Sequence, residues 1–327
     1  MGESENVCSF RAADNAHAAD CDRASLDRRG LMRASVGLGL ASAALGALVR
    51  PAAAQGACAE DTLDKIKRTG VFALGARQST PPYGYLDAQN NWVGFATEIA
   101  RAIHANLEKE LKVTIELKYV PVTSQTRIPL LQNGTIDMEA GATVVTRSRA
   151  RVVDFAVAHF LTSTEVIVRA DGPIKTLADL ASKRVGVPLG GLEEAMFRGL
   201  NQSGRLKPPV TTVAFPDHPQ GFTALGTGTI DAYSSDGPIM YGLKAKAADP
   251  AQWRVFDPGV NVFLQAFPIR PESSRFKAIA DVTVVEACAS GEWDRLYDKY
   301  FGPHGVAPFE KSNALAMLPL MNAWPAE

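Results

Sequence analysis

The 327-residue chain has almost no excess of either charge: 34 Lys and Arg stand against 35 Asp and Glu, a net charge of -1. Without a basic surplus, a general nucleic-acid or anionic-membrane role has no compositional support, and no nucleic-acid partner is expected. Long apolar runs are also missing. The stretch of small apolar residues from Ala34 to Val49 is too short, and too rich in Gly and Ala, for a comfortable membrane span. Cysteines number only 4. No metal cluster and no nucleophile–base pair is evident, so neither a metal, a cofactor nor catalysis is implied. What remains is the composition of a folded globular protein, 46% hydrophobic and 8% aromatic, long enough for one large or two medium domains.

The first residues read as an export segment. Asp27-Arg28-Arg29-Gly30-Leu31-Met32-Arg33 precedes the Ala34–Val49 run, and Pro51-Ala52-Ala53-Ala54-Gln55 follows it. A twin arginine, a modest apolar core and small residues before Gln55 predict a Tat-like signal over residues 1-54, cleaved near Ala54, and a periplasmic mature protein. Export leaves Cys58 and Cys288 as the mature chain's cysteines. In an oxidising compartment such a pair favours a disulfide over a metal site, so a Cys58–Cys288 bridge is expected. Lipidation of Cys58 is the competing reading; Gln55-Gly56-Ala57 lacks the leucine expected three places ahead of it.

Val120 to Phe155 carries the densest pattern. Pro121 and Ser124 turn the chain from a strand into a helix, Leu130 and Leu131 supply its buried face, and Asn133-Gly134 ends it ahead of a strand, Thr135 to Ala140. Ser124 and Arg127 are thereby expected in a first helical turn, which favours an anion. Arg147 and Arg149 follow the next strand, and three arginines near strand ends suit a carboxylate-bearing ligand. Upstream, Thr62–Gly70 reads as a helix, Val71–Ala76 as a strand, and the prolines after Arg77 and Ser79 hold those residues at the strand's end. Gly94–Leu111 has the four-residue spacing of an amphipathic helix. Downstream come the helix Leu192–Leu200, the strand Val210–Phe215, a turn at Pro216–Pro219 containing His218, and the helix Gln220–Leu225. Helices Phe276–Ala289 and Glu292–Phe301 follow, and the tail shows only a short apolar run, Leu315 to Leu320.

Gly134-Thr135-Ile136-Asp137 recurs as Gly228-Thr229-Ile230-Asp231, each after a strand, a polar turn and a short helix. The repeated grammar points to two similar α/β lobes whose strand-end loops, Glu139 to Arg149 and Ser234-Ser235-Asp236, face one cleft.

The segments TLDKIKRTGV, TSQTRIPLLQNGTID and SGEWDRLYDKYF resemble bacterial periplasmic amino-acid-binding proteins, the solute-binding components of ABC importers, and are most similar to the glutamate/aspartate-binding branch. The resemblance, spanning about Thr62 to Pro303, implies an α/β fold of the type II periplasmic-binding-protein class, with two lobes, two hinge strands and a ligand cleft. Lobe one would take residues 55-166 and 262-310, lobe two 167-261, and a tail 311-327, with crossings near Val166 to Arg169 and Asn261 to Phe267. It implies that Arg149 grips the ligand α-carboxylate and Asp236 takes the α-ammonium. Arg77, Ser124, Arg127 and His218 would surround a side-chain carboxylate, with backbone contacts at Ala142, Val144 and Gly191. Ala142 and Val144 stand where the family usually has Ser or Thr, and Pro188 and Gly191 where the acidic branch has threonines. The implied partners are a free amino acid, acidic preferred, and an inner-membrane ABC permease, with the receptor itself a monomer. Three alternatives stay open: a receptor for another polar amino acid, a dehydratase-like cleft enzyme using Glu139 and His218, and a sensor serving a signalling receptor.

Overall fold

The computed structural model of the chain describes residues 60–325. The expected export segment 1-54 and Cys58 lie outside the described residues. The elements run, in order, α1 (Thr62–Thr69), β1 (Val71–Ala76), β2 (Ser79–Thr80), β3 (Gly84–Leu86), β4 (Trp92–Val93), α2 (Phe95–Leu111), β5 (Glu116–Pro121), α3 (Arg127–Gln132), β6 (Met138–Ala140), β7 (Asp154–Phe155) and β8 (Phe160–Arg169). They continue with β9 (Arg184–Pro188), α4 (Glu193–Gln202), β10 (Thr211–Phe215), α5 (His218–Gly226), β11 (Ala232–Asp236), α6 (Gly237–Ala245), β12 (Trp253–Phe256), β13 (Val262–Gln265), β14 (Pro268–Ile269), α7 (Ser274–Ala289), α8 (Glu292–Phe301) and α9 (Asn313–Asn322).

Local chemistry sets several boundaries. Asp61 caps α1 by accepting from the Leu63 N–H, and Gly70 ends it in the left-handed region at φ 67°. Asp217 caps α5 through the Gln220 N–H, which places His218 at the first helical position rather than in the turn expected for it. The helix after Pro121 starts only at Arg127 and is six residues long, so Ser124 lies in the turn ahead of it and not in a first helical turn. Its strand also forms late, at Met138, because Gly134 to Asp137 are spent on a loop.

Two sheets organise the chain. The first lobe's has the order β5-β1-β6-β14-β7, with β1 parallel to β5 and β6. The second lobe's has the order β10-β9-β11-β8-β12, with β9 parallel to β10 and β11. The carboxyl ends of β1, β6, β9 and β11 are where a parallel α/β sheet presents its ligand loops. In the second lobe, Val166, Val185, Phe197 and Leu200 belong to one apolar cluster.

The lobes are joined by two crossings, the outgoing one within the long strand β8. The first residues of β8, Phe160 to Ser163, pair antiparallel with β13, while Thr164 to Arg169 pair with β11 and β12. The outgoing crossing therefore sits at Phe160–Ser163, and the expected Val166–Arg169 already lies inside the second sheet. The return crossing, Val262–Gln265, falls within Asn261 to Phe267. An aromatic cluster anchors the outgoing strand: the Phe160 ring lies 4.9 Å from Phe301 and 5.3 Å, edge-on, from Tyr83, and Trp293 Nε1 donates to the His159 carbonyl at 2.7 Å. The tail is not patternless. Helix α9 buries Leu315 and Leu318, and Asn322 Nδ2 donates to the Ala158 carbonyl just ahead of β8.

Candidate functional site

A narrow cavity lies between the lobes and is lined by Arg77, Ser124, Arg127, Ala142, Val144, Arg149, Gly191, His218 and Asp236 among others. These are residues singled out from the sequence. Arg147 is exposed and does not line it.

The first lobe contributes the cations. Arg77 follows directly on β1, is 4% exposed, and donates from Nη1 to Ser124 Oγ at 3.1 Å. Arg127 opens α3, equally buried, and its Nη1 stands 3.9 Å from Glu139 Oε1, with Nε unpartnered. Glu139, on β6, is held by the Thr143 hydroxyl, which donates to its Oε2 at 2.6 Å. Arg149 folds back onto its own loop, donating to the Val144 carbonyl at 2.9 Å, and reaches the second lobe's Gly190 carbonyl at 3.2 Å.

The second lobe contributes the acids. Asp236 ends β11; its Oδ2 accepts from Gln265 Nε2 at 3.1 Å, and its Oδ1 is buried without a partner. Gln265, on the return strand β13, also bridges to Val144 of the first lobe, so one crossing residue touches both walls. His218 Nδ1 pairs with the Tyr233 hydroxyl at 3.0 Å. Glu193, the first residue of α4, is 2% exposed and lines the cavity with Oε2 unpartnered.

The backbones of the two lobes meet beside the cavity. A methyl on Gly190 would lie 2.7 Å from the Gln125 Cα, and Gly190 has φ +78°, so any side chain there is both strained and in collision. This is a closed arrangement, and closure desolvates the charges. Burial, then the neighbouring Arg127, pushes Arg149 down to about 10, and the same two causes act on Arg77. Both stay charged near neutrality. Burial, then Arg77 and Arg127, pushes His218 down to about 3, which keeps it neutral. Burial lifts Glu193, and burial together with Glu193 lifts Asp236 well above the usual carboxylate range.

The model for bacterial extracellular solute-binding proteins, family 3, matches residues 72–303. The chain belongs to this family. It is similar, at 33% identity over 244 residues, 74% of this chain and 80% of the relative, to the glutamate/aspartate import solute-binding protein of Escherichia coli (strain K12). It is 32% identical over 242 residues to the L-glutamate/L-aspartate-binding protein of Pseudomonas aeruginosa, covering 73% of this chain and 80% of that one. Among solved structures it is similar to a mutant of ArgBP from T. maritima, with a TM-score of 0.63 and 26% identity, covering 73% of this chain and 98% of that one. The fold is thus the two-lobed α/β periplasmic-binding-protein fold of type II, as the family resemblance implies. Family membership accounts for a cleft between lobes, and the family's description places such proteins outside the cell's cytoplasm.

Sequence reasoning missed three residues that the fold brings to the site or its edge. Glu193 reads in sequence as an ordinary acid in a helix's first turn. Thr80 and Gln265 carry no local signal, because Thr80 sits in a two-residue strand and Gln265 acts across the chain on Asp236.

Proposed function

We propose that the cleft captures an acidic amino acid, glutamate or aspartate, by lobe closure and presents it to an ABC importer in the membrane. The observation that carries this reading is the convergence of Arg77, Arg127 and Arg149 from three separate segments onto one cavity. Among the described residues, Arg77 and Arg149 have no carboxylate in salt-bridge contact, and Arg127 has only Glu139 at 3.9 Å. The buried guanidinium groups of Arg77 and Arg127, with the half-buried one of Arg149, favour a ligand that brings carboxylates and disfavour one that brings a second cation. In this reading Arg149 holds the α-carboxylate, Asp236 the α-ammonium, and Arg77, Ser124, Arg127 and His218 the side-chain carboxylate, while Ala142, Val144 and Gly191 contribute backbone. The names of the Escherichia coli and Pseudomonas aeruginosa relatives support the same ligand class.

The receptor is proposed to be monomeric, non-catalytic and periplasmic, exported by a signal that is removed near Ala54. Catalysis finds little to work with: Glu139 is tied to Thr143, and His218 is neutral and engaged by Tyr233. Cys288, buried on α7, is proposed to pair with Cys58 in the exported chain; two thiols titrating in that chain would count against the bridge. Titration calorimetry with glutamate, aspartate, glutamine and lysine tests the ligand assignment. Micromolar binding of an acidic amino acid, about 8 kcal/mol, is the expected outcome. Tight lysine binding with no response to either acidic amino acid overturns it.

A further inference from the structure

Glu193 has no part in the reading above, yet like Asp236 it is a buried acid of the second lobe that lines the cavity with one oxygen unpartnered. Its place depends on Gly191. A Cβ on Gly191 would lie 2.2 Å from Glu193 Oε2, so the carboxyl group occupies the space a side chain at 191 would take. The bland account, an acid favoured by the positive end of α4, explains an exposed carboxylate there but not one that is 2% exposed and turned into a cleft.

The charges around it can be counted. With every carboxylate ionised, Arg77, Arg127 and Arg149 stand against Glu193 and Asp236 on the cavity wall and Glu139 behind Arg127, and His218 is neutral; burial lifts both Glu193 and Asp236, so this pair is where a proton enters. The groups facing Glu193 are Arg127 and Arg149 across the cleft, and Ser235, Asp236, Tyr233 and His218 within its own lobe; hydrogen bonding by Ser235 and by its own backbone N–H opposes part of the effect of burial. An acidic amino acid brings one net negative charge into this enclosure, and an unneutralised buried charge is costly. Asp236 is the poorer place to discharge it, because its Oδ2 accepts from Gln265 and its role toward an ammonium requires the carboxylate. Glu193 Oε2, like Asp236 Oδ1, has no partner, and Glu193 has no role that requires its charge.

We propose that Glu193 contacts the ligand from the second lobe as a neutral carboxylic acid, so that each acidic amino acid is bound together with one proton taken from solvent. This rests on the acidic-amino-acid reading and adds to it. The proton sits on a Glu193 oxygen while the cleft is closed, lets that oxygen donate a hydrogen bond to a ligand carboxylate, and returns to solvent on opening. Burial of Glu193 on closure acts in the same direction. A neutral ligand such as glutamine requires no proton.

The test is calorimetry on the full-length chain, with glutamate and with glutamine, in two buffers of different ionisation enthalpy. Glutamate is expected to take up about one proton at about pH 7.5, with Kd weakening by up to about tenfold per pH unit as pH rises. Glutamine is expected to take up none. In Glu193→Gln the uptake with glutamate should vanish and its Kd should become flat with pH. Glutamate binding without proton uptake, or with the same uptake as glutamine, overturns the proposal alone, as does an unchanged uptake in Glu193→Gln. Failure of both acidic amino acids to bind defeats the receptor reading and the proposal with it. The wild-type comparison of ligands decides the matter even where the variant does not fold.

Discussion

The loop Gly134–Asp137 in the first lobe and the loop Gly228–Asp231 in the second are built alike. Each glycine has a left-handed φ, 75° and 74°, and each isoleucine is buried. Each aspartate clasps the start of a neighbouring strand through two backbone bonds: Asp137 donates to the Ala73 carbonyl and accepts the Ala73 N–H, and Asp231 does the same with Arg184. The surroundings differ. Asp137 is fully buried and paired with Lys65 Nζ at 2.7 Å, whereas Asp231 is 32% exposed and paired with Arg184. Burial therefore raises the Asp137 carboxyl, while the Arg184 hydrogen bond lowers Asp231. The cleft walls repeat the lesson on a larger scale: the same strand–loop–helix unit presents arginines from one lobe and acids from the other. A shared local motif sets where a loop goes, and long-range packing sets what its charges do.

The sharpest break in that comparison is at the walls. Arg149→Ala should weaken binding of every amino acid by about thirtyfold or more, since removing one partner of a desolvated charge pair costs about 2–5 kcal/mol. Arg127→Ala should instead erode the preference for glutamate and aspartate over glutamine. Calorimetric Kd values for the three ligands separate the two, and equal losses on all ligands in both variants would show the arginines to be misassigned.

The paired aspartates give the next largest effect. Asp137→Ala leaves Lys65 beside an emptied buried site and should cost about 3 kcal/mol of stability. Asp231→Ala removes a partly exposed pair and should cost about 1 kcal/mol. Denaturant midpoints at constant slope measure both. Equal losses would mean that burial is not what distinguishes the two loops.

The smallest effect is in the pH dependence, and its sign differs between the loops. Asp231 is depressed on folding, so its contribution is full above the unfolded value of about 4 and is lost as pH falls through the folded one. Asp137 is raised, so its contribution is full below about pH 4 and is lost as pH rises through its folded value. The stability difference between wild type and Asp231→Asn should thus shrink toward acid, and that for Asp137→Asn should shrink away from it. Slopes of one sign would contradict the assignment.

Much of the frame was legible because it is local. Helix α8 spans Glu292–Phe301 as expected, and α1 ends at Gly70, since caps and spacing act over a few residues. Arg77, Arg127 and Arg149 were legible as strand-end and helix-start cations. Helix α9 was not: Pro319 interrupts its pattern, and its buried face exists only because β8 and α7 lie beneath it. The outgoing crossing was misplaced because β8 is one unbroken strand whose partners change midway, a change no residue in it announces.

The sequence by itself determined the two α/β lobes, the echoed aspartate loops and the arginines at the strand ends, because hydrophobic period, capping and turn chemistry are properties of neighbours in the chain. The tertiary structure alone decided that Gly190 meets Gln125, that Gln265 reaches Asp236, and that Glu193 faces Arg127 and Arg149 across a closed cleft. Those contacts join distant segments or depend on closure, and burial, which sets the charge each group keeps, exists only once both lobes are in place.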